Sequence, residues 1–180
     1  MTDLLTLPAF ADDHAVNLVV ESPRGSTSKL KYDPAHRVMT LSRPLVLGLR
    51  YPYDWGFVPS TRGPDGDPLD AFVMWEGSTY PGVVLACRPI GVLYVEQTSS
   101  DTRARERNDR LAVLPVHAPR MDGLKSVFDF HERVRAELER FFLEAVAFQG
   151  KDLKLLGWGG PGDAVSLVRA SQHHSQPAHA

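Results

Sequence analysis

The sequence predicts one β-rich α+β domain, a small barrel with two helices packed outside it. The chain has 180 residues, of which 43% are apolar, and this is enough for a single compact core. Short apolar runs separated by glycine, proline and serine occupy residues 17–74, a texture typical of strands joined by turns. Helical spacing of apolar residues begins only at Leu124. Many short strands followed by few helices favour a barrel with the helices on its surface.

The apolar runs predict the strands in chain order. The longest run contains Arg88-Pro89 and Gly91, where we expect the strand to bend or break, because proline removes a ladder hydrogen bond. The predicted strands are residues 18–20, 38–41, 45–47, 71–75, 82–95 and 111–116.

Apolar residues from Leu124 to Phe148 recur at helical steps with charged residues between them, which predicts one long amphipathic helix ended by Gly150. A last strand at 153–156 and a short helix at 163–170 follow. The resulting organisation is an N-terminal extension (1–16), a single domain (17–170) and a disordered polar tail (171–180).

Composition excludes several classes of partner. With 20 Lys+Arg against 22 Asp+Glu, the formal net charge is -2, so no overall field attracts nucleic acid or an anionic membrane. The single cysteine, Cys87, forms no intramolecular disulfide, and no apolar stretch is long enough for a transmembrane helix or typical of a signal peptide. We therefore expect a cytoplasmic protein without nucleic-acid or membrane partners.

The densest chemical signal is a turn that carries three carboxylates, Asp65, Asp67 and Asp70. Three like charges this close repel one another, and a hard divalent cation would hold all three ionised. A solvated Asp-Gly/Asp-Pro turn is the alternative that the spacing leaves open. An EF-hand is excluded because Asp70 stands where that loop needs glycine and a strand follows it. The short loop predicts a Mg²⁺ site completed by residues elsewhere and by a phosphate.

Around this turn the sequence resembles the soluble family I inorganic pyrophosphatases, over about residues 17–168. The resemblance implies a five-stranded, OB-like closed barrel with helices packed on it. It is carried by Asp-Gly-Asp-Pro-Leu-Asp at 65–70, Tyr-Pro-Tyr-Asp-Trp-Gly-Phe-Val-Pro at 51–59, Arg-Pro-Ile-Gly-Val-Leu at 88–93, Glu21 with Lys29, Arg43 before Tyr51, and Gly157-Trp158.

The resemblance also implies an activity and roles for single residues. The activity is Mg²⁺-dependent hydrolysis of pyrophosphate to two phosphates by a homo-oligomer, a hexamer or a dimer. Asp67 would be the base that accepts a proton from the attacking water. The implied metal ligands include Asp65, Asp70 and Glu21, and the implied substrate-binding residues include Lys29, Arg43, Tyr51 and Trp55.

Three departures from the family pattern are visible. Lys31 stands in place of a carboxylate, Trp55 in place of a tyrosine, and Ala145-Val146 in place of a substrate-binding Tyr-Lys pair. Two phosphate contacts are therefore missing. Alternatives to a pyrophosphatase are a related phosphoanhydride hydrolase with altered substrate, and a weakly active or inactive binding or assembly protein.

The remaining family pattern, Asp-x4-Asp-x-Lys, has two possible registers in the long loop 98–110. Counted from the upstream anchor 88–93, it gives Glu96 and Asp101 as metal ligands and Arg103 as a substrate-binding residue. Counted back from the strand 111–115, it gives Gln97, Asn108 and Arg110. We favour the upstream register because it retains the type of charge at all three positions.

Overall fold

A computed structural model describes residues 3–99 and 102–172, and it confirms a β-rich α+β fold with two helices. Neither helix of these ranges is long and apolar enough to cross a membrane. The strands are β1 (Val16–Ser22), β2 (Ser28–Asp33), β3 (Val38–Pro44), β4 (Asp54–Val58), β5 (Leu69–Val73), β6 (Val84–Thr98), β7 (Arg105–Arg107), β8 (Arg110–Pro115) and β9 (Lys154–Gly159), and the α-helices are α1 (Glu132–Ala145) and α2 (Pro161–Ser171).

The main sheet is organised around the long strand β6. Successive strand pairs join β1 to β4, β4 to β5, β5 to β8 and β8 to β6, and β6 also pairs with β1, β7 and β9. Only the β5–β8 pair is parallel among those described for this sheet. β2 and β3 form a separate hairpin. These pairings support the predicted class, and closure into a barrel stays a prediction.

The register of β6 against β8 shifts between Pro89 and Gly91, where the sequence predicts a bend. Pro89 has no backbone N–H for the ladder. Gly91 is required by close approach, because an added Cβ would lie 2.5 Å from a Val127 methyl carbon and 2.9 Å from the Gly159 carbonyl oxygen. The irregularity therefore has both a hydrogen-bonding and a steric cause.

Two predicted elements differ from the observed ones. Residues 45–47 form a turn and not a strand. Leu45 is buried whereas Leu47, two residues later, is fully exposed, so the apolar run has no single buried face. The helix predicted from Leu124 begins only at Glu132, after a 3₁₀ turn at Val127–Asp129. That turn begins with a reciprocal cap between Ser126 and Asp129, and the extended backbone of Phe130 ends it before α1.

The core lies on both faces of the main sheet. One cluster packs α1 against the sheet through residues such as Phe72, Leu138 and Phe142. The other packs α2 against β1 and β6, for example Val168 near Val16. The functional cavity described below opens beside the α1 cluster.

Both ends of the described chain contact the segment Ser60–Arg62. The Ser60 backbone N–H donates to the Leu5 carbonyl oxygen (3.0 Å), within the region predicted as an extension. The Arg62 N–H donates to the Ser171 carbonyl oxygen (2.8 Å), and Gln172 forms a β-bridge with Thr61. Residues 171 and 172, predicted as part of the tail, are thus held by the body; residues 173–180 lie outside the described residues.

Candidate active site

A cavity of about 600 Å³ opens between the β2–β3 hairpin, the turn before β5, the sheet and the C-terminal end of α1. Its wall includes most of the site residues that the sequence predicts. These are Glu21, Lys29, Arg43, Tyr51, Trp55, Asp65, Asp67 and Asp70.

The carboxylate turn is fixed by its own hydrogen bonds. An Asp65 carboxylate oxygen accepts from the Asp67 backbone N–H (3.2 Å), and the Gly63 N–H donates to the Asp67 carbonyl oxygen (2.7 Å). Gly66 has a φ of 85°, a conformation that glycine adopts without strain. The turn then leads into β5, where parallel pairing sets Asp70 beside Arg110 on β8. Carboxylates and a guanidinium are thereby brought to one wall.

Two carboxyl groups of the cavity have raised pKa values. Burial, with the charge of Asp70 adding to it, raises the pKa of Asp65 to about 6. Burial raises the pKa of Glu21 to about 7, although that carboxylate accepts a hydrogen bond from the Tyr32 backbone N–H (2.8 Å). Both groups would be held ionised by a bound cation.

The oxygen atoms of the cavity wall provide some, but not all, of the ligands of one hard cation. Asp65 and Asp70 present carboxylate oxygens, the ligand type that Mg²⁺ prefers, and the Asn108 side-chain amide also lines the cavity. Within residues 3–99 and 102–172, no three His, Cys, Asp or Glu side chains are grouped so that they could hold a metal ion. Asp65 and Asp70 thus fit a cation whose other ligands are water and phosphate oxygens.

Two cations, the half-buried Lys29 and the buried Arg110, meet at the Trp55 ring. The Lys29 ammonium lies 6.0 Å and the Arg110 guanidinium carbon 5.5 Å from its centroid, and the guanidinium carbon is 4.3 Å from the centre of the Phe142 ring. Burial lowers the pKa of both side chains, against the opposing charge of Asp70.

Arg110 is only 5% exposed, and its buried Nε finds no hydrogen-bond partner in the described part of the chain. A buried donor without an acceptor is costly. The arrangement at Arg110 is therefore suited to receive an anion.

Tyr51 adds a neutral donor. Burial raises the pKa of its hydroxyl to about 12, so the phenol keeps its proton near neutrality. Its ring packs against those of Trp55 and Phe141, with centroids 6.2 and 5.4 Å apart. The hydroxyl is thus held on a rigid aromatic wall.

The cavity wall carries residues of the downstream register of the loop. Successive side chains of a strand point to opposite faces, so Gln97 lines the cavity while Glu96 turns away and accepts from Arg105 Nε (2.6 Å). Arg103 is exposed and does not line the cavity, and Asp101 lies outside the described residues.

The downstream residues Asn108 and Arg110 line the cavity instead. The physical reason is that the extra loop length forms a β6–β7 hairpin, which pairs Gln97 with Glu106 and lies upstream of Asn108. In the sequence, these two residues are found by counting back from the apolar strand β8. Asp109, between these two residues, accepts from the Val95 N–H and pairs with Arg107.

The departures from the family pattern also lie at this cavity. Lys31 Nζ is 2.7 Å from an Asp67 carboxylate oxygen. Burial lowers the pKa of the Lys31 ammonium. The hydrogen bond to Asp67 and the charges of the nearby carboxylates outweigh burial, so the pKa is raised. Ala145 and Val146 line the cavity with hydrocarbon only.

The charged side chains of the cavity wall are four carboxylates and five cations. Lys151, which sequence reasoning missed, is the fifth cation and had no motif to reveal it. The carboxylates are Glu21, Asp65, Asp67 and Asp70, and the cations are Lys29, Lys31, Arg43, Arg110 and Lys151. Such a wall can bind a compact polyanion and offer it a carboxylate as proton acceptor.

Comparison with known proteins gives one consistent result. The family model described as inorganic pyrophosphatase matches residues 18–176. The inorganic pyrophosphatase of Thermus thermophilus is 36% identical over 178 residues, covering 94% of this chain and 96% of the relative. That of Synechocystis sp. is 33% identical over 166 residues, covering 92% and 95%. The crystal structure of the Thermus thermophilus inorganic pyrophosphatase matches with a TM-score of 0.86 at 33% identity, covering 94% of this chain and 97% of that chain.

Proposed function

The chain belongs to the inorganic pyrophosphatase family, and from this premise we propose that it hydrolyses inorganic pyrophosphate to two phosphates with Mg²⁺ as its metal ion. The observation that carries the proposal is the cavity itself. A turn with three carboxylates faces the half-buried Lys29 and the buried Arg110 across a space of about 600 Å³, and the Arg110 Nε has no hydrogen-bond partner among the described residues. Pyrophosphate carries several negative charges, and it is small enough for this space.

Binding of the substrate is the task of the cationic wall. Lys29, Arg43 and Arg110 neutralise the phosphoryl oxygens, and guanidinium groups can make paired hydrogen bonds to them. The Tyr51 hydroxyl donates one more hydrogen bond. Because strand pairing and aromatic packing already hold these groups, little side-chain conformational entropy is lost when the anion binds.

Asp67 is the proposed proton acceptor. Its side chain is 58% exposed, so a water molecule that attacks phosphorus can reach a carboxylate oxygen. Asp65 and Asp70 would hold the metal ion, which when bound supplies charge neutralisation and activates water. Asp67 keeps its orientation through the backbone bonds of the turn.

Two observations favour a second candidate, an enzyme of reduced activity or altered phosphoanhydride substrate. Lys31 occupies one oxygen of the proposed base at 2.7 Å. Ala145 and Val146 offer no polar contact where they line the cavity. Each missing charge-assisted hydrogen bond would cost about 1.5 to 3 kcal/mol of substrate binding.

Release of phosphate from pyrophosphate, with and without Mg²⁺ and beside a panel of nucleoside triphosphates, tests the proposal. We expect Mg²⁺-dependent release that is faster for pyrophosphate than for any nucleotide. No release from pyrophosphate at any Mg²⁺ concentration would contradict the proposed activity, and faster release from a nucleotide would favour the second candidate.

The first prediction concerns the proposed base. Asp67→Asn should lower turnover on the order of 100-fold, because it removes the proton acceptor and keeps the shape. Asp122→Asn, an exposed carboxylate outside this cavity, is the matched control and should keep parental turnover. Equal turnover of Asp67→Asn and the parent would remove Asp67 from this role.

Three further predictions of the sequence stay predictions. They are the homo-oligomer, the cytoplasmic setting and the closed barrel. Size-exclusion chromatography with light scattering tests the first, and cell fractionation tests the second.

A further inference from the structure

The β2–β3 hairpin forms a cationic wall of the cavity. Lys29 and Lys31 are two residues apart on β2 and therefore lie on the same face of the strand. Arg43 on β3 is the cross-strand partner of Lys29. All three line the cavity. Lys31 is thus part of a row of cations, and its position is set by the strand.

Lys31 differs from its neighbours in having a carboxylate partner inside the cavity. Its Nζ donates to an Asp67 carboxylate oxygen at 2.7 Å. The side chains are 46% and 58% exposed, so the pair is open to solvent and to a ligand. Among the described residues, Lys29 and Arg110 form no ion pair with a carboxylate, and Arg43 donates only to the neighbouring Pro44 carbonyl oxygen at 3.5 Å.

The charges around this pair determine what it can do. Four carboxylates alone would repel one another and would repel a phosphate anion, so they would need added cations before the anion could bind. With Lys31 and the other four cations, the wall already carries at least as much positive as negative charge. An ammonium in contact with the exposed carboxylate of the turn can therefore do part of what a divalent ion would do.

We propose that Lys31 is a built-in cation of the substrate site, which neutralises Asp67 in the free protein and contacts the phosphoanhydride oxygens in the complex. The site consequently takes its anion with fewer divalent ions than its carboxylates would otherwise require. The inference rests on the proposed function for the identity of the anion. It assigns Lys31 a direct contact with substrate.

The first arm of the test measures anion binding without metal. Imidodiphosphate, a pyrophosphate analogue with a non-hydrolysable bridge, is titrated into the parent in EDTA by calorimetry. Lys31→Met keeps most of the stem, removes the charge and should weaken binding about tenfold. Lys31→Arg should restore most of the affinity. Lys154→Met is the matched control, since it removes an exposed lysine of β9 that does not line the cavity.

The second arm measures metal binding without anion. Free Mn²⁺ is followed by electron paramagnetic resonance during titration of each protein. Lys31→Met should bind Mn²⁺ about tenfold more tightly than the parent, because Asp67 is then free of its ammonium. Lys154→Met, outside the cavity, should change Mn²⁺ affinity much less.

The outcomes are decisive in either direction. Equal effects of Lys31→Met and Lys154→Met, or no binding of imidodiphosphate by the parent in EDTA, would overturn the proposal. Thermal melting of each variant establishes that it is folded. Neither arm needs turnover, so an inactive parent would contradict the proposed function and leave this inference to be decided by the two titrations.

Discussion

At the scale of single residues, Glu21 shows how burial of a carboxyl group makes stability depend on pH. The carboxyl group is 5% exposed, and burial raises its pKa to about 7 from an ordinary value of 4.5. Between these values the folded protein holds a proton that the unfolded chain has released. Stability must therefore fall as the pH rises through this window.

Glu21→Gln removes this dependence. In EDTA, the parent should lose up to about 3 kcal/mol of unfolding free energy relative to Glu21→Gln between about pH 4.5 and pH 8. The glutamine can still accept the Tyr32 N–H. Urea unfolding at several pH values measures the effect, with the exposed Glu132→Gln as control. Parallel stability curves for parent and Glu21→Gln would contradict the prediction.

Which site residues the sequence predicts depends on how far apart the partners lie in the chain. Asp65, Asp67 and Asp70 form one local motif, so their clustering was predictable. The contact of Lys31 with Asp67 joins residues 36 positions apart and leaves no local pattern. Arg110 was considered in the less favoured register, because sequence spacing does not say on which side of a loop the extra residues fold.

At the scale of elements, close strand packing depends on Gly56 in β4. A Cβ there would lie 1.8 Å from the Val19 carbonyl oxygen of β1, a backbone atom that cannot move without separating the strands. The same strand carries Trp55, whose ring contacts both Lys29 and Arg110. The packing of β4 on β1 thus fixes the position of Trp55, whose ring contacts the cations of the anion site.

Gly56→Ala should destabilise the protein by about 3 kcal/mol or more, through the overpacking that the added methyl group forces. For a chain of this size that corresponds to a melting temperature lower by roughly 6 °C or more. Gly162→Ala in α2 is the control, since a Cβ there meets nothing within 4 Å. It should be neutral or slightly stabilising. Similar melting temperatures for both variants would contradict this steric account.

Strands that are buried along almost their whole length were predictable, and others were not. The prediction for β8 differs by one residue at each end, and the prediction at 18–20 found the apolar centre of β1. β2 was missed because its Ser-Lys-Leu-Lys-Tyr-Asp sequence is mostly polar, and it exists as one half of a hairpin whose cations face the cavity. In that strand, cations that line the cavity stand where an apolar pattern would have predicted a strand.

At the scale of the whole molecule, the net charge and the charge of the cavity have opposite signs. The chain carries a formal -2, whereas the described cavity wall has one more cation than carboxylates when all are ionised. Anion capture must therefore come from the local field, which acts over a short range. The overall composition was uninformative about it.

The affinity for imidodiphosphate in EDTA should fall about tenfold when NaCl is raised from roughly 0.05 to 0.5 M, because salt screens the partly exposed cations. Calorimetry at both concentrations measures the change. Sucrose at matched osmolality is the control and should leave the affinity nearly constant. An affinity that does not depend on salt would show that screened charge attraction contributes little.

The hydrogen bond between Arg62 and Ser171 has a consequence for the order in which the protein is made. Arg62 stands at the entrance to the carboxylate turn, but its backbone partner belongs to α2, which the ribosome synthesises much later. Until α2 emerges and docks, a nascent chain lacks this anchor, and the segment before the turn is held by the Ser60–Leu5 hydrogen bond and by the turn's own bonds. Maturation of the anion site is thus coupled to the last described helix of the chain.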